Sequence, residues 1–118
     1  MHIQTHQINH LQIAEVTSEE LLITNHEDGL DLVGNLYYQG FDGVILYEEN
    51  IGADLFNLKS GMAGEILQKF ANFRMRLVIV GDFEMYESQS LREFILESNN
   101  GRQVNFVETK DEALNKFA

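Results

Sequence analysis

The chain contains no cysteine. That excludes a disulfide framework, a thiolate nucleophile and any metal site built on sulfur. It contains no proline either. Helix starts must therefore be set by side-chain caps, and sharp turns by Gly, Asn and Asp. Basic residues are scarce: 8 Lys and Arg stand against 19 Asp and Glu, a formal charge of −11. Such a charge repels a phosphate backbone and an anionic membrane surface, so neither nucleic acid nor membrane is an expected partner. A basic partner protein or a metal cation stays open, and plain solubility is the simpler account. No apolar run approaches the length that crosses a bilayer. The start, "MHIQTHQINH", lacks the basic and apolar regions of a signal peptide. The expectation is a cytoplasmic protein. Triads of nucleophile and base, phosphate-binding loops, dinucleotide glycine patterns and HExxH are all missing, so the sequence points away from an enzyme and names no cofactor.

What is present reads as one α/β domain over residues 1–118. "IQTHQI", "NH" and "LQIAEV" form a hairpin: two short alternating runs around a turn. Its first strand, over 3–8, is an edge that invites pairing, so a homodimer is an open alternative. Residues 24–39 read as a helix, capped by Thr24 with Glu27 and stopped by Gly40. Val44–Tyr47 and "RLVIVG" are continuous apolar runs, as strands covered on both faces require. Val44, Ile45, Leu46, Leu77, Val78, Ile79 and Val80 are the expected central core. Leu55, Leu58, Met62, Ile66, Phe70 and Phe73 recur at steps of three and four. That stripe predicts a helix over 54–73, begun at Asp54 rather than at Ser60. Ser90 with Glu93 opens a third helix, which Gly101 closes. Residues 103–107 alternate as a strand, and Thr109 with Glu112 caps a last short helix. The order is β-β-α-β-α-β-α-β-α. It implies a mixed, mostly parallel sheet of about five strands with helical cover.

"IAEV", "EENI", "AGEILQKF" and "GDF" resemble recurring words of a family of small bacterial proteins, domain of unknown function 4180. The element order also resembles the STAS domain of sulphate transporters and anti-sigma-factor antagonists. There the local likeness is best in "LREFILESNNGRQVNFVETKDEALNKF". The STAS resemblance implies a non-enzymatic regulatory module that binds a partner protein or a small ligand. In STAS antagonists a serine of an Asp-Ser-x-Gly-Leu-like motif accepts phosphate after the third strand. "LKSGMAG" stands there in this chain, with Lys59 in place of the acidic residue.

Three sets of residues are candidate sites. Ser60, with Lys59 and Gly61, would be a switch or anion site if a helix starts there. If the helix starts at Asp54, Ser60 lies inside it, and Ser60, Gly61, Ala63 and Gly64 form a small-residue packing face. A bulky residue at Gly64 would then be damaging. Glu48, Glu49 and Asn50 follow one buried strand, and Asp82 and Glu84 follow another. Parallel neighbours would bring them to the carboxyl edge, where open α/β sheets hold ligands. Close carboxylates there would bind a hard cation such as Mg²⁺ or serve a metal-dependent enzyme. Solvated loop acids and helix caps are the plainer reading. His2, His6, His10 and His26 read as exposed residues rather than metal ligands.

Overall fold

The computed structural model describes residues 1–57, 59 and 61–118. Five strands form one sheet: β1 (His2–Ile8), β2 (Leu11–Thr17), β3 (Gly43–Tyr47), β4 (Arg76–Val80) and β5 (Val104–Val107). They lie side by side in chain order. β1 runs antiparallel to β2, and β2 to β5 run parallel. The hairpin turn uses Asn9 and His10, both at positive φ (50° and 71°), the geometry that suits a two-residue link between twisted strands.

Four helices follow: α1 (His26–Tyr38), α2 (Met62–Asn72), α3 (Gln89–Asn100) and α4 (Lys110–Asn115). The parallel strands are laid down in one direction, so right-handed crossovers put their three connecting helices on one face. Leu32, Val33, Leu36, Ile66, Phe70 and Leu91 from those helices bury against Ala14, Val16, Val44, Leu46, Leu77 and Ile79. The alternate strand residues, Ile13, Ile45, Val78, Val80 and Val107, meet Ala113 and Phe117 at the C-terminal end of the chain. All seven expected core residues of β3 and β4 are buried.

Local signals differ from the sequence expectation at three helix starts. α1 is capped by Asn25, whose Oδ1 accepts the Asp28 N–H at 2.9 Å. Thr24 instead donates its N–H and hydroxyl to Asp28 Oδ2, at 3.0 and 2.7 Å. Asn outranks Thr as a cap, and Asp28 completes the reciprocal pair. α3 is capped by Ser88, which accepts the Leu91 N–H at 3.2 Å, two residues ahead of Ser90. The largest correction is α2. It starts at Met62, not at Asp54, behind Gly61 in a left-handed conformation at φ 77°. Residues Ala53–Phe56 form a separate 3₁₀ turn that buries Leu55 and Phe56. Of the apolar stripe this turn carries Leu55, while Leu58 lies outside the described residues.

The packing role assigned to Gly64 is overturned as well. A Cβ built at Gly64 meets nothing within 4 Å. The tight contact between α1 and α2 lies at Gly29, where a Cβ would stand 2.8 Å from Ile66. Gly64 is an exposed glycine in the first turn of α2, so Gly64→Ala should raise stability by up to about 1 kcal/mol. A higher urea midpoint with an unchanged slope would show this; a lower midpoint would restore the packing role.

The two sheet edges differ. β1 pairs only with β2 among the described residues. On β5, the carbonyls of Gln103 and Val107 face β4 and accept from Leu77 and Gly81, each at 2.9 Å. The alternate residue Phe106 therefore points its N–H and C=O outward. The Asn99 carboxamide takes both: Oδ1 accepts the Phe106 N–H at 2.8 Å, and Nδ2 donates to the Phe106 carbonyl at 3.1 Å.

Candidate functional site

β3 and β4 are adjacent and parallel, so the acids that follow them meet at the carboxyl edge. Glu48 holds that edge together. Its Oε1 accepts the Asp82 N–H at 3.0 Å, and its Oε2 accepts the Tyr86 hydroxyl at 2.5 Å. Gly81 makes room for it, since a Cβ there would fall 2.5 Å from the Glu48 side chain. Burial, then the bond to Glu48 and its charge, push the Tyr86 hydroxyl up to about 12. Asn50 is buried and faces inward along the edge. Its Nδ2 donates to the carbonyls of Ser18 and Glu20, at 2.7 and 3.0 Å, tying down the link from β2 to α1. Asp82 Oδ1 accepts the Glu84 N–H at 3.2 Å and stabilises its own loop. Glu49 and Glu84 are exposed. Among the described residues, no three His, Asp or Glu side chains converge as metal ligands would.

Two hollows open at this edge. One, of about 260 Å³, is lined by Phe56, Asn57, Lys59, Ser88 and Ser90. Lys59 is exposed, and its N–H donates to Asn57 Oδ1 at 3.2 Å. Gly61 follows at the N-cap of α2, while Ser60 itself lies outside the described residues. The other hollow, of about 640 Å³, runs along α3, where Arg92, Ile95, Leu96 and Asn99 face Phe83, Glu84, Phe106 and Glu108. Aromatic rings join the two: Phe56 sits 5.9 Å from Phe83 and 5.3 Å from Tyr86, and Phe83 lies 5.2 Å edge-on to Phe106.

A polar cluster that the sequence reading missed lies on the α4 face. Glu15 on β2 is only 5% exposed. Its Oε2 accepts the Tyr47 hydroxyl at 2.6 Å. Its Oε1 accepts from His6 Nε2 at 2.9 Å and from Lys110 Nζ at 3.1 Å. Burial pushes the carboxyl up, but the bonds from Tyr47, His6 and Lys110 outweigh it and hold it at about 2. Burial and the bond to Glu15 raise the Tyr47 hydroxyl well above the usual tyrosine range. Glu15 thus stays ionised, and it fastens β1, β3 and α4 to β2. The signal available in the sequence was Glu15 itself, the one charge of β2 and in step with Ile13. His26 stands 3.1 Å from Glu65, and His2 and His10 are exposed.

No helix among the described residues is long and apolar enough to cross a membrane. No curated protein and no solved structure matches the chain significantly. A family model does match, over residues 8–117, and so spans the hairpin turn, all three crossovers and α4. The chain belongs to the family described as Domain of unknown function (DUF4180).

Proposed function

We propose that the protein is a STAS-like regulatory module, one α/β domain over residues 1–118. It works in the bacterial cytoplasm without chemistry or cofactor of its own. It binds a partner protein at the carboxyl edge of the sheet, where α2 and α3 begin. The start of α2 carries this reading. The helix begins behind Gly61 rather than at Asp54, so Gly61 stands at a helix start. A helix start favours anions through its N–H groups and partial positive charge. Lys59 adds a cation beside the hollow that Ser88 and Ser90 also line. A phosphate on Ser60, which lies between Lys59 and Gly61 in the sequence, would add about two negative charges to the chain there, enough to switch a docking contact. The element order supports the same reading, because it is the order in which the STAS resemblance was found. A cation-dependent enzyme built on the edge carboxylates has less support, since both Glu48 oxygens already accept hydrogen bonds.

The test is phosphorylation in the cell. Mass spectrometry of protein isolated from its own organism should find phosphate on Ser60. Ser60→Asp and Ser60→Ala should then co-purify with different amounts of one defined partner. An unmodified Ser60 in every growth phase, with identical co-purification of both variants, would overturn the proposal.

A further inference from the structure

We infer that the exposed edge of β1 is a self-association surface, on which a second copy adds its own β1 antiparallel to make one continuous sheet. An edge strand leaves N–H and C=O groups unpaired, and soluble proteins blunt such edges with lysine, proline, bulges or covering elements. This protein does so on one side only. At β5 the Asn99 carboxamide occupies the outward N–H and C=O of Phe106. At β1 no such device exists among the described residues. The strand is seven residues long, pairs without a bulge along its full length with β2, and reads HIQTHQI, with no Lys, Arg, Asp, Glu, Pro or Gly.

Self-complementarity selects a second copy as the occupant, because β1 can pair with itself about a two-fold axis and carries no acidic residue. Two chains of −11 repel each other over most of their surface. β1 itself adds no acidic side chain to that repulsion, and Glu19 and Glu20 lie only beside its start, at Met1 and His2. The one carboxylate of β2, Glu15, is buried and bonded to Lys110 and His6. A two-fold axis at Thr5, the middle of the strand, pairs all seven residues. Thr5 then faces Thr5 of the second copy, Gln4 faces its His6, and Ile3 faces its Gln7. Faces are preserved across the join. Ile3 stays on the side of α1 to α3, where it already packs, and Ile8 stays on the side of α4. No pair sets like formal charges opposite one another, the arrangement that sheets penalise.

The experiment uses the full chain and light scattering after size exclusion. Wild-type protein should reach twice its 13.5 kDa chain mass as concentration rises into the millimolar range. Thr5 is exposed, so Thr5→Lys leaves the fold intact and sets two lysines face to face at the axis. That variant should remain at the mass of one chain. The register has its own test, because the chain has no cysteine. Opposed residues of an antiparallel pair have Cα atoms about 4.5–5.5 Å apart, within disulfide reach. Thr5→Cys should therefore oxidise in air to a covalent dimer, and much faster than Tyr38→Cys, a control position on α1 that is 87% exposed. Wild-type protein that stays monomeric, a Thr5→Lys variant that still dimerises, or equal oxidation of the two cysteine variants would overturn the inference.

Discussion

Replacing Ile79 by alanine should lower the stability of the protein by about 2–5 kcal/mol, the cost of an unfilled cavity in a close-packed core. Ile79 is fully buried at the centre of β4. It stands between Leu46 of β3 and Phe106 of β5 in the register, beneath the layer formed by α1 to α3. Neither neighbouring strand can move inward without breaking its own pairing, so the space would stay open. Ile45→Ala tests the other face with the same expected cost, since Ile45 is also fully buried, in the layer under α4. Total stability of a domain this size is of the order of 5–15 kcal/mol, so either variant removes a large part of it. Urea unfolding followed by circular dichroism measures the loss. A cost below about 1 kcal/mol for Ile79→Ala would mean that the two sheet faces are not packed as described.

Replacing Glu15 should have the second largest effect, and a distinctive dependence on pH. At neutral pH, Glu15→Gln trades a buried carboxylate with three donors for a neutral amide, at a cost of about 2–3 kcal/mol. The sign with pH follows from the direction of the shift. The folded carboxyl titrates near 2, below its usual 4.5. Its stabilising contribution is therefore complete above about pH 4.5 and disappears as pH falls towards 2. A shift of that size corresponds to about 3 kcal/mol. Wild-type protein and Glu15→Gln should differ clearly at pH 6 and converge near pH 2, where a protonated Glu15 resembles glutamine. A gap that stays constant over that range would show that the bonds from Tyr47, His6 and Lys110 are not what holds the carboxylate.

The strands were readable because burial writes itself directly into composition. Val44–Leu46 and Leu77–Val80 are continuous apolar runs, and both of their faces are covered. The hairpin was readable from alternation and from a turn of the length that alternation leaves. The start of α2 was not. Steps of three and four fit an α-helix and carry the stripe back to Leu55, but Leu55 lies in a separate 3₁₀ turn and Gly61 sets the helix start, through a dihedral angle the sequence does not display. Ser90 with Glu93 has the better capping spacing, while Ser88 is in place to cap because the chain arrives there from Tyr86, held by Glu48. Long-range partners were hidden for the same reason. Glu48 and Asp82 were expected to be neighbours, and they are, but the bond between them runs from the Asp82 backbone N–H, which no side-chain pattern displays. The donors to Glu15 come from three other elements, and no local pattern links them.

On the pairing proposed for β1, the carboxamide of Asn99 would also limit how large an assembly of this fold can become. A sheet with two receptive sides propagates, because each added copy presents a fresh end, and the product is a fibre. Here the far side of every copy is already terminated at Phe106. Growth through β1 would then consume the one open edge of each molecule among the described residues and stop at a pair. One asparagine would thus act as a chain terminator, separating a closed, countable complex from open-ended polymerisation.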